Sequence, residues 1–237
     1  MERMKIKLLM FFLAASLMLA AGPAAGADAV DSYLKGVQLA IQGKFPEAQQ
    51  AFEEALKTES HFEPAKFCLS LVKDVRGRKV KQEAVVQIFK SIHHANQGQF
   101  QERDAAINRA IELDPGYAPA HNNRGSYLMD DPQKLEQAIA DFDQAIKLDP
   151  KFAAAYNNRG NAYRRKGQFD QAIRDLDRAL EINPQYAAAS FNKALACEQA
   201  GRKPEALAAF QSFLKYAPSQ YARQIQYARE RIQELGK

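Results

Sequence analysis

Apolar residues return every three or four positions over most of residues 29–235, in short blocks separated by Gly, Pro or polar breaks. In the clearest stretch Tyr156, Gly160 and Tyr163 fall on one face of a predicted helix. Ala172, Leu176 and Ala179 fall on one face of a second, with Gly167 between the two and Asn183-Pro184 after them. Residues three and four apart share a helix face, so this spacing is helical. Runs that alternate with period two are absent, and no strand is predicted. The pattern then repeats. Pro115, Pro150, Pro184 and Pro218 stand 35, 34 and 34 residues apart, each closing a similar phrase: AIELDP, AIKLDP, ALEINP and FLKYAP. A period of that length marks stacked helical hairpins.

Aligned on the closing positions, the chain divides into units 29–62, 84–117, 118–152, 153–186 and 187–220. Unit 187–220 keeps Ala194, Cys197, Ala206, Phe210 and Phe213. Unit 118–152 keeps Gly125, Leu128, Ala138, Phe142 and Ala145, with one extra residue in its DDPQKLEQ turn. Unit 84–117 keeps Ile107 and Ala110 but puts Arg103 at the small-residue position, which predicts either a locally opened hairpin or a side chain reaching to solvent. Unit 29–62 keeps Gly36, Leu39, Ala48, Phe52 and Ala55, with Ser60 in place of the proline. Residues 63–83 interrupt the period, and Phe67, Leu71 and Val72 within them predict an extra helix or a distorted half unit. Residues 221–235, apolar at Ile225, Ala228, Ile232 and Leu235, predict a last helix that caps the stack.

These residues resemble the tetratricopeptide repeat. Tyr156, Gly160, Tyr163, Ala172, Leu176, Ala179 and Pro184 stand at its pattern positions, with Leu176 for the usual Phe and Arg159 where Leu is usual. The resemblance implies an all-α, right-handed superhelical α-solenoid whose first helices line a concave groove. It also implies which positions face that groove: Asn122, Asn123, Ser126 and Met129, then Asn157, Asn158, Asn161 and Arg164, then Phe191, Asn192, Leu195 and Glu198. Of these, Asn122, Asn123, Ser126, Asn157, Asn158, Asn161, Arg164, Phe191, Leu195 and Glu198 are the candidate ligand-binding residues.

The asparagines among them have poor helix propensity, costing roughly half a kcal/mol each relative to alanine. Two readings account for them. An amide ladder can hold the main chain of an extended peptide, with Phe191 and Leu195 forming an apolar pocket. Alternatively, the Asn-Asn-Arg-Gly stretch bridges adjacent hairpins. A Lys/Asn/Lys/Arg clamp for a C-terminal carboxylate, known in the family, is not matched by Asn122, Ser126, Phe191 and Leu195.

Charge and composition narrow the picture little. The net charge is +5 over 237 residues, with basic and acidic residues alternating along the helices, which argues against a nucleic-acid partner. Lys73, Arg76, Arg78, Lys79 and Lys81 form one basic stretch, read as a solvated linker or helix end, or as a contact for an anionic lipid or polymer. His61, His93, His94 and His121 do not cluster at metal-ligand spacing. Glu136, Asp141, Asp143, Asp170, Asp175 and Asp177 lie on second helices and read as a solvated surface. No phosphate loop, nucleophile elbow or HExxH is present, so neither enzyme activity nor a metal or other cofactor is expected. Cys68 and Cys197 read as two separate thiols.

Arg3, Lys5 and Lys7, the apolar run Leu8–Ala21 and Ala25-Gly26-Ala27 form the pattern of a cleaved signal peptide over residues 1–27. The expectation is a periplasmic or secreted protein with no stable membrane insertion after cleavage; an uncleaved anchor is the alternative. The functional expectation is a protein- or peptide-binding scaffold of the bacterial cell envelope. A polysaccharide-binding solenoid and a purely architectural subunit stay open beside it.

Overall fold

The computed structural model describes residues 27–77, 80–218 and 221–236. The expected export segment lies outside them apart from Ala27, as do Arg78 and Lys79 of the basic stretch. The chain divides into two compact units, one ending at Ala120 and one beginning at His121.

In the first unit α1 (Ala27–Ile41) and α2 (Phe45–Thr58) form a hairpin, and α3 (Glu63–Arg76) packs on α2. A second hairpin follows, α4 (Gln82–Asn96) with α5 (Phe100–Leu113), and α4 also packs against α1. The core between them is aromatic: the Phe52 and Phe89 rings stack at 5.9 Å, and Tyr33 meets Phe62 edge-on at 5.3 Å. Arg103 does not reach to solvent. It is only 7% exposed, pairs with Asp104 at 2.8 Å and lies over the Phe100 ring. The charge is tolerated because the neighbouring carboxylate and the ring face both offset its desolvation.

The second unit continues from α6 (Ala118–Leu128), which begins in the first. A single 3₁₀ turn (Pro132–Lys134) leads into α7 (Leu135–Leu148). Two further hairpins follow, α8 (Ala153–Arg165) with α9 (Phe169–Ile182) and α10 (Ala187–Gln199) with α11 (Lys203–Tyr216). From α7 on, each helix packs against the next, α8 also packs against α10, and α12 (Ala222–Leu235) covers α11. Beneath α12, Phe191, Phe210, Phe213, Tyr221 and Tyr227 form one aromatic cluster. The architecture is an all-α solenoid of helical hairpins, without a β-strand among the described residues. No described helix is long and apolar enough to cross a membrane.

The hairpin turns follow from backbone geometry. Gly43, Gly98, Gly167 and Gly201 each take φ between +70° and +77°, the left-handed region that glycine enters at no steric cost. The next residue, Lys44, Gln99, Gln168 or Arg202, then donates its N–H back to Leu39, His94, Tyr163 or Cys197 at 2.8–3.0 Å. This closes the helix C-terminus by satisfying a carbonyl that the helix itself leaves open. The α6–α7 connection uses a different device, with Asp131 accepting from the Gln133 N–H at 2.9 Å.

Two contacts decide how closely the helices of a hairpin approach. A Cβ on Gly160 would sit 2.9 Å from Leu176 Cγ and 3.1 Å from the Ala172 carbonyl oxygen. A Cβ on Gly36 would sit 2.5 Å from the Phe52 ring. Both glycines lie inside helices, where glycine costs roughly 0.5–1 kcal/mol relative to alanine, so close packing is what retains them.

Candidate functional site

The first helices of the second unit carry a chain of amide hydrogen bonds that crosses from hairpin to hairpin. Asn158 Nδ2 on α8 donates to Asn122 Oδ1 on α6 at 3.0 Å and to Ser126 Oγ at 3.2 Å. Asn192 Nδ2 on α10 donates to Asn157 Oδ1 on α8 at 2.9 Å. Asn157 Nδ2 donates to Asn158 Oδ1 at 3.1 Å and joins the two rungs. Asn122 and Asn157 are 5% and 6% exposed, so their amides serve the fold. A buried amide needs hydrogen-bond partners, and successive hairpins supply them at nearly fixed register.

The other candidate residues divide by environment. Asn123, Asn161 and Arg164 are half-buried, and Asn123 has no hydrogen-bond partner among the described residues. Ser126 Oγ donates to the Asn122 carbonyl. Phe191 packs at 4.9 Å on Phe213 and 6.0 Å on both Phe210 and Tyr227, and Leu195 joins the same cluster. The core beneath α12 therefore accounts for both apolar residues. Glu198 pairs with Arg231 of α12.

Asn158→Ala is expected to lower the stability of this unit by about 1–2 kcal/mol, because it removes two donated bonds and the partner of a buried Asn157 amide. Asn123→Ala is expected to leave stability level or slightly raised. Thermal melts followed by circular dichroism check both.

A second ladder is ionic, and it corrects the expectation of a solvated surface for two of the second-helix carboxylates, while Glu136, Asp143, Asp170 and Asp177 keep side chains 45–80% exposed. Asp141 and Asp175 are 5% and 7% exposed. Arg124 grips Asp141 through Nε and Nη2 at 2.7 and 2.6 Å, and Arg159 grips Asp175 through Nε and Nη2, each at 2.7 Å. Arg159 also reaches Asp143 of the preceding hairpin at 2.6 Å, and Lys193 reaches Asp177 in the same way at 2.5 Å. Arg159 thus occupies the usual Leu position because it ties two hairpins together.

Burial alone would raise the Asp141 carboxyl. The hydrogen bonds and charge of Arg124, with the nearby His121 ring, outweigh burial and hold it below the ordinary carboxylate range. A carboxyl depressed on folding adds stability that is complete above its unfolded pKa and is lost as pH falls through the folded value. The stability gap between the wild-type chain and Asp141→Asn is therefore expected to be widest near neutrality and to narrow below about pH 4. Denaturant melts across that range check the sign.

The other chemistry-bearing residues are absorbed by packing. His93 and His94 bond Gln38 and Gln99, and His121 stands 3.6 Å from Asp141. No group of three or more His, Cys, Asp or Glu is placed to hold a metal ion among the described residues. Cys68 and Cys197 are both free and buried, and burial pushes both thiols up. In the basic stretch, Arg76 Nη1 donates to Gln49 Oε1 and Lys81 Nζ to the Leu113 carbonyl, which ties that segment to its neighbours.

Hairpins joined by side-chain ladders, with polar groups left over along their first helices, define a helical-repeat module. The family model for the tetratricopeptide repeat matches residues 153–186, and a second model, described as TPR repeat, matches residues 131–166. Residues 131–186 thus match tetratricopeptide-repeat models.

Solved structures share the fold. PilW, described as a widely conserved type IV pilus biogenesis factor, is 17% identical with a TM-score of 0.56, over 89% of this chain and 91% of its own. MamA is 22% identical with a TM-score of 0.51, over 81% and 97%. The Cut9–Hcn1 hetero-tetramer structure of APC/C gives 18% and 0.55, over 91% and 46%. No curated protein matches the chain.

Proposed function

We propose that the chain is a protein- or peptide-binding scaffold of the bacterial cell envelope, holding a segment of its partner along the first helices of its second unit. One observation carries the reading. The amide ladder consumes Asn122, Asn157, Asn158 and Asn192, whereas Asn123, Asn161 and Arg164 keep hydrogen-bonding capacity that the hairpins do not use. Amides and a guanidinium in a row suit an extended main chain, which offers alternating donors and acceptors. The envelope assignment rests on the charged, apolar and small-residue pattern of residues 1–27.

The test is photo-crosslinking in cells from residues placed on opposite helices. A photoreactive side chain at Asn123 or Asn161 is expected to capture one defined protein, while the same group at the exposed second-helix positions Arg178 and Glu181 captures none. Capture only from the second-helix positions would overturn the reading in favour of an architectural role for that face. Fractionation with N-terminal sequencing tests the location, and a mature chain beginning at Asp28 is the expected result.

A further inference from the structure

The turns of the last two hairpins enclose an open cleft of about 550 Å³, within the roughly 300–1,000 Å³ of small-ligand sites. Gln168, Phe169, Asp170, Gln171, Arg174 and Arg202 line it, and none of the first-helix candidates does. One lining atom is orphaned: Gln168 Oε1 is buried without a hydrogen-bond partner. Gln99 stands at the same place in its own hairpin, one residue after the turn glycine, and there Oε1 meets His94 Nδ1 at 2.7 Å. Each glutamine donates its backbone N–H to the residue five before it, His94 in one hairpin and Tyr163 in the other. Tyr163 replaces that imidazole, so the fold leaves Gln168 Oε1 without a donor. Such an acceptor is unfavourable, and a ligand hydroxyl relieves it. The terminal amide torsion of glutamine is soft, so Oε1 turns to the cleft without moving the chain. The charges around the cleft balance. Arg202 commits its fork to Glu205 at 2.7 and 2.9 Å and reaches Asp170 at 3.4 Å. Arg174 is exposed and has no ion pair among the described residues.

We propose that this cleft is a sugar-binding site that takes a neutral, hydroxylated ring of an oligosaccharide. It does not rest on the function proposed above, because it shares no residue with the first-helix face. The lining selects the ligand class. An anion would meet the Asp170 carboxylate and the Gln168 acceptor, and a cation would meet Arg174 and Arg202. A hydroxyl both donates and accepts, so one neutral ring suits all four. It donates to Gln168 Oε1 and the Asp170 carboxylate and accepts from Arg174 and Arg202, and the bonds to charged groups are the stronger ones. A peptide brings one main-chain donor and one acceptor per residue, whereas a pyranose brings several hydroxyls into a single small cleft. Half-buried Phe169 adds an aromatic surface, whose negative face suits the C–H face of a pyranose.

The test is a nuclear magnetic resonance titration of the ¹⁵N-labelled full chain, following the Gln168 side-chain amide and the backbone N–H signals of Phe169, Asp170 and Gln171. Cellobiose, maltose and chitobiose are the sugar probes. Inorganic phosphate and an N-acetylated, amidated trialanine are the other two. At least one disaccharide is expected to move these signals saturably while phosphate and the peptide leave them in place. Asp170→Ala should weaken that sugar by about tenfold, through loss of a charge-assisted bond from a side chain 80% exposed. Gln168→Leu should weaken it by about threefold or more and raise the melting temperature, because it removes a buried acceptor that has no donor. A merely structural glutamine would change the melt and leave the affinity alone. The proposal falls if no disaccharide moves the signals, if phosphate or the peptide moves them more strongly than any sugar, or if a sugar moves Asn123 and Asn161 instead. The wild-type titration decides the matter even where a variant fails to fold. Sugar shifts at Gln168 without first-helix cross-links keep this site and remove the peptide reading. Cross-links without sugar shifts remove this site alone.

Discussion

Asp175→Ala is expected to destabilise the second unit by about 3 kcal/mol. Asp175 is buried and takes both Nε and Nη2 of Arg159, so its loss strands a guanidinium whose side chain is only 19% exposed. The expected cost sits at the lower end for a broken buried pair because Asp143 still holds Nη1. Asp143→Ala, at a carboxylate 53% exposed, should cost less than about 1 kcal/mol. Removing both charges with Arg159→Met and Asp175→Leu should recover most of the loss, since the penalty lies in the unpaired charge. Denaturant unfolding of the four chains checks this order. Equal midpoints for Asp175→Ala and Asp143→Ala would show that burial of the Asp175 carboxylate carries no energetic weight.

Gly160→Leu is expected to cost about 1–3 kcal/mol by overpacking, and Ala172→Leu a similar amount from the facing helix. The first atom of any side chain at Gly160 already meets Leu176 Cγ at 2.9 Å and a backbone carbonyl at 3.1 Å, and the carbonyl cannot rotate away. Gly167→Ala separates this effect from backbone strain. Its site is open, with nothing within 4 Å, but φ is +77°, so the expected loss of about 1 kcal/mol comes from conformation alone. Thermal melts of Gly160→Leu, Ala172→Leu and Gly167→Ala check the ranking. A Gly160→Leu chain that melts with the wild type would place the close contact elsewhere.

The hairpins are legible in the sequence because their cores are periodic. Tyr156, Gly160, Tyr163, Ala172 and Leu176 declare their faces through spacing alone, and Gly167 marks its turn. The ion pairs are not legible by that route. Asp141 and Asp175 occupy second-helix positions that a helical wheel assigns to water, and only their pairing with Arg124 and Arg159 across the hairpin reveals burial. Arg103 misleads for the same reason, since its burial is offset by the adjacent Asp104 and by the Phe100 ring three residues before it. The asparagines stand out by their poor helix propensity, but propensity does not say whether an amide faces a ligand or another amide. Arg164 is marked in the sequence only by its expected groove-facing position.

The amide chain has a direction, and direction limits how the array can grow. The α8–α9 and α10–α11 hairpins each donate from one asparagine to an acceptor one position earlier in the preceding hairpin, and Phe191 stands where the next acceptor would be. A tandem copy of residues 153–186 would find an acceptor for its own Asn158, present Asn157 to Asn192, and set its Arg159 opposite Asp177. A tandem copy of residues 187–220 would aim its Asn192 at a phenyl ring and its Lys193 at Gln211. The chain is thus open to duplication at its middle hairpin and closed at its last, and gene lengthening by unequal exchange would survive at the first place and fail at the second.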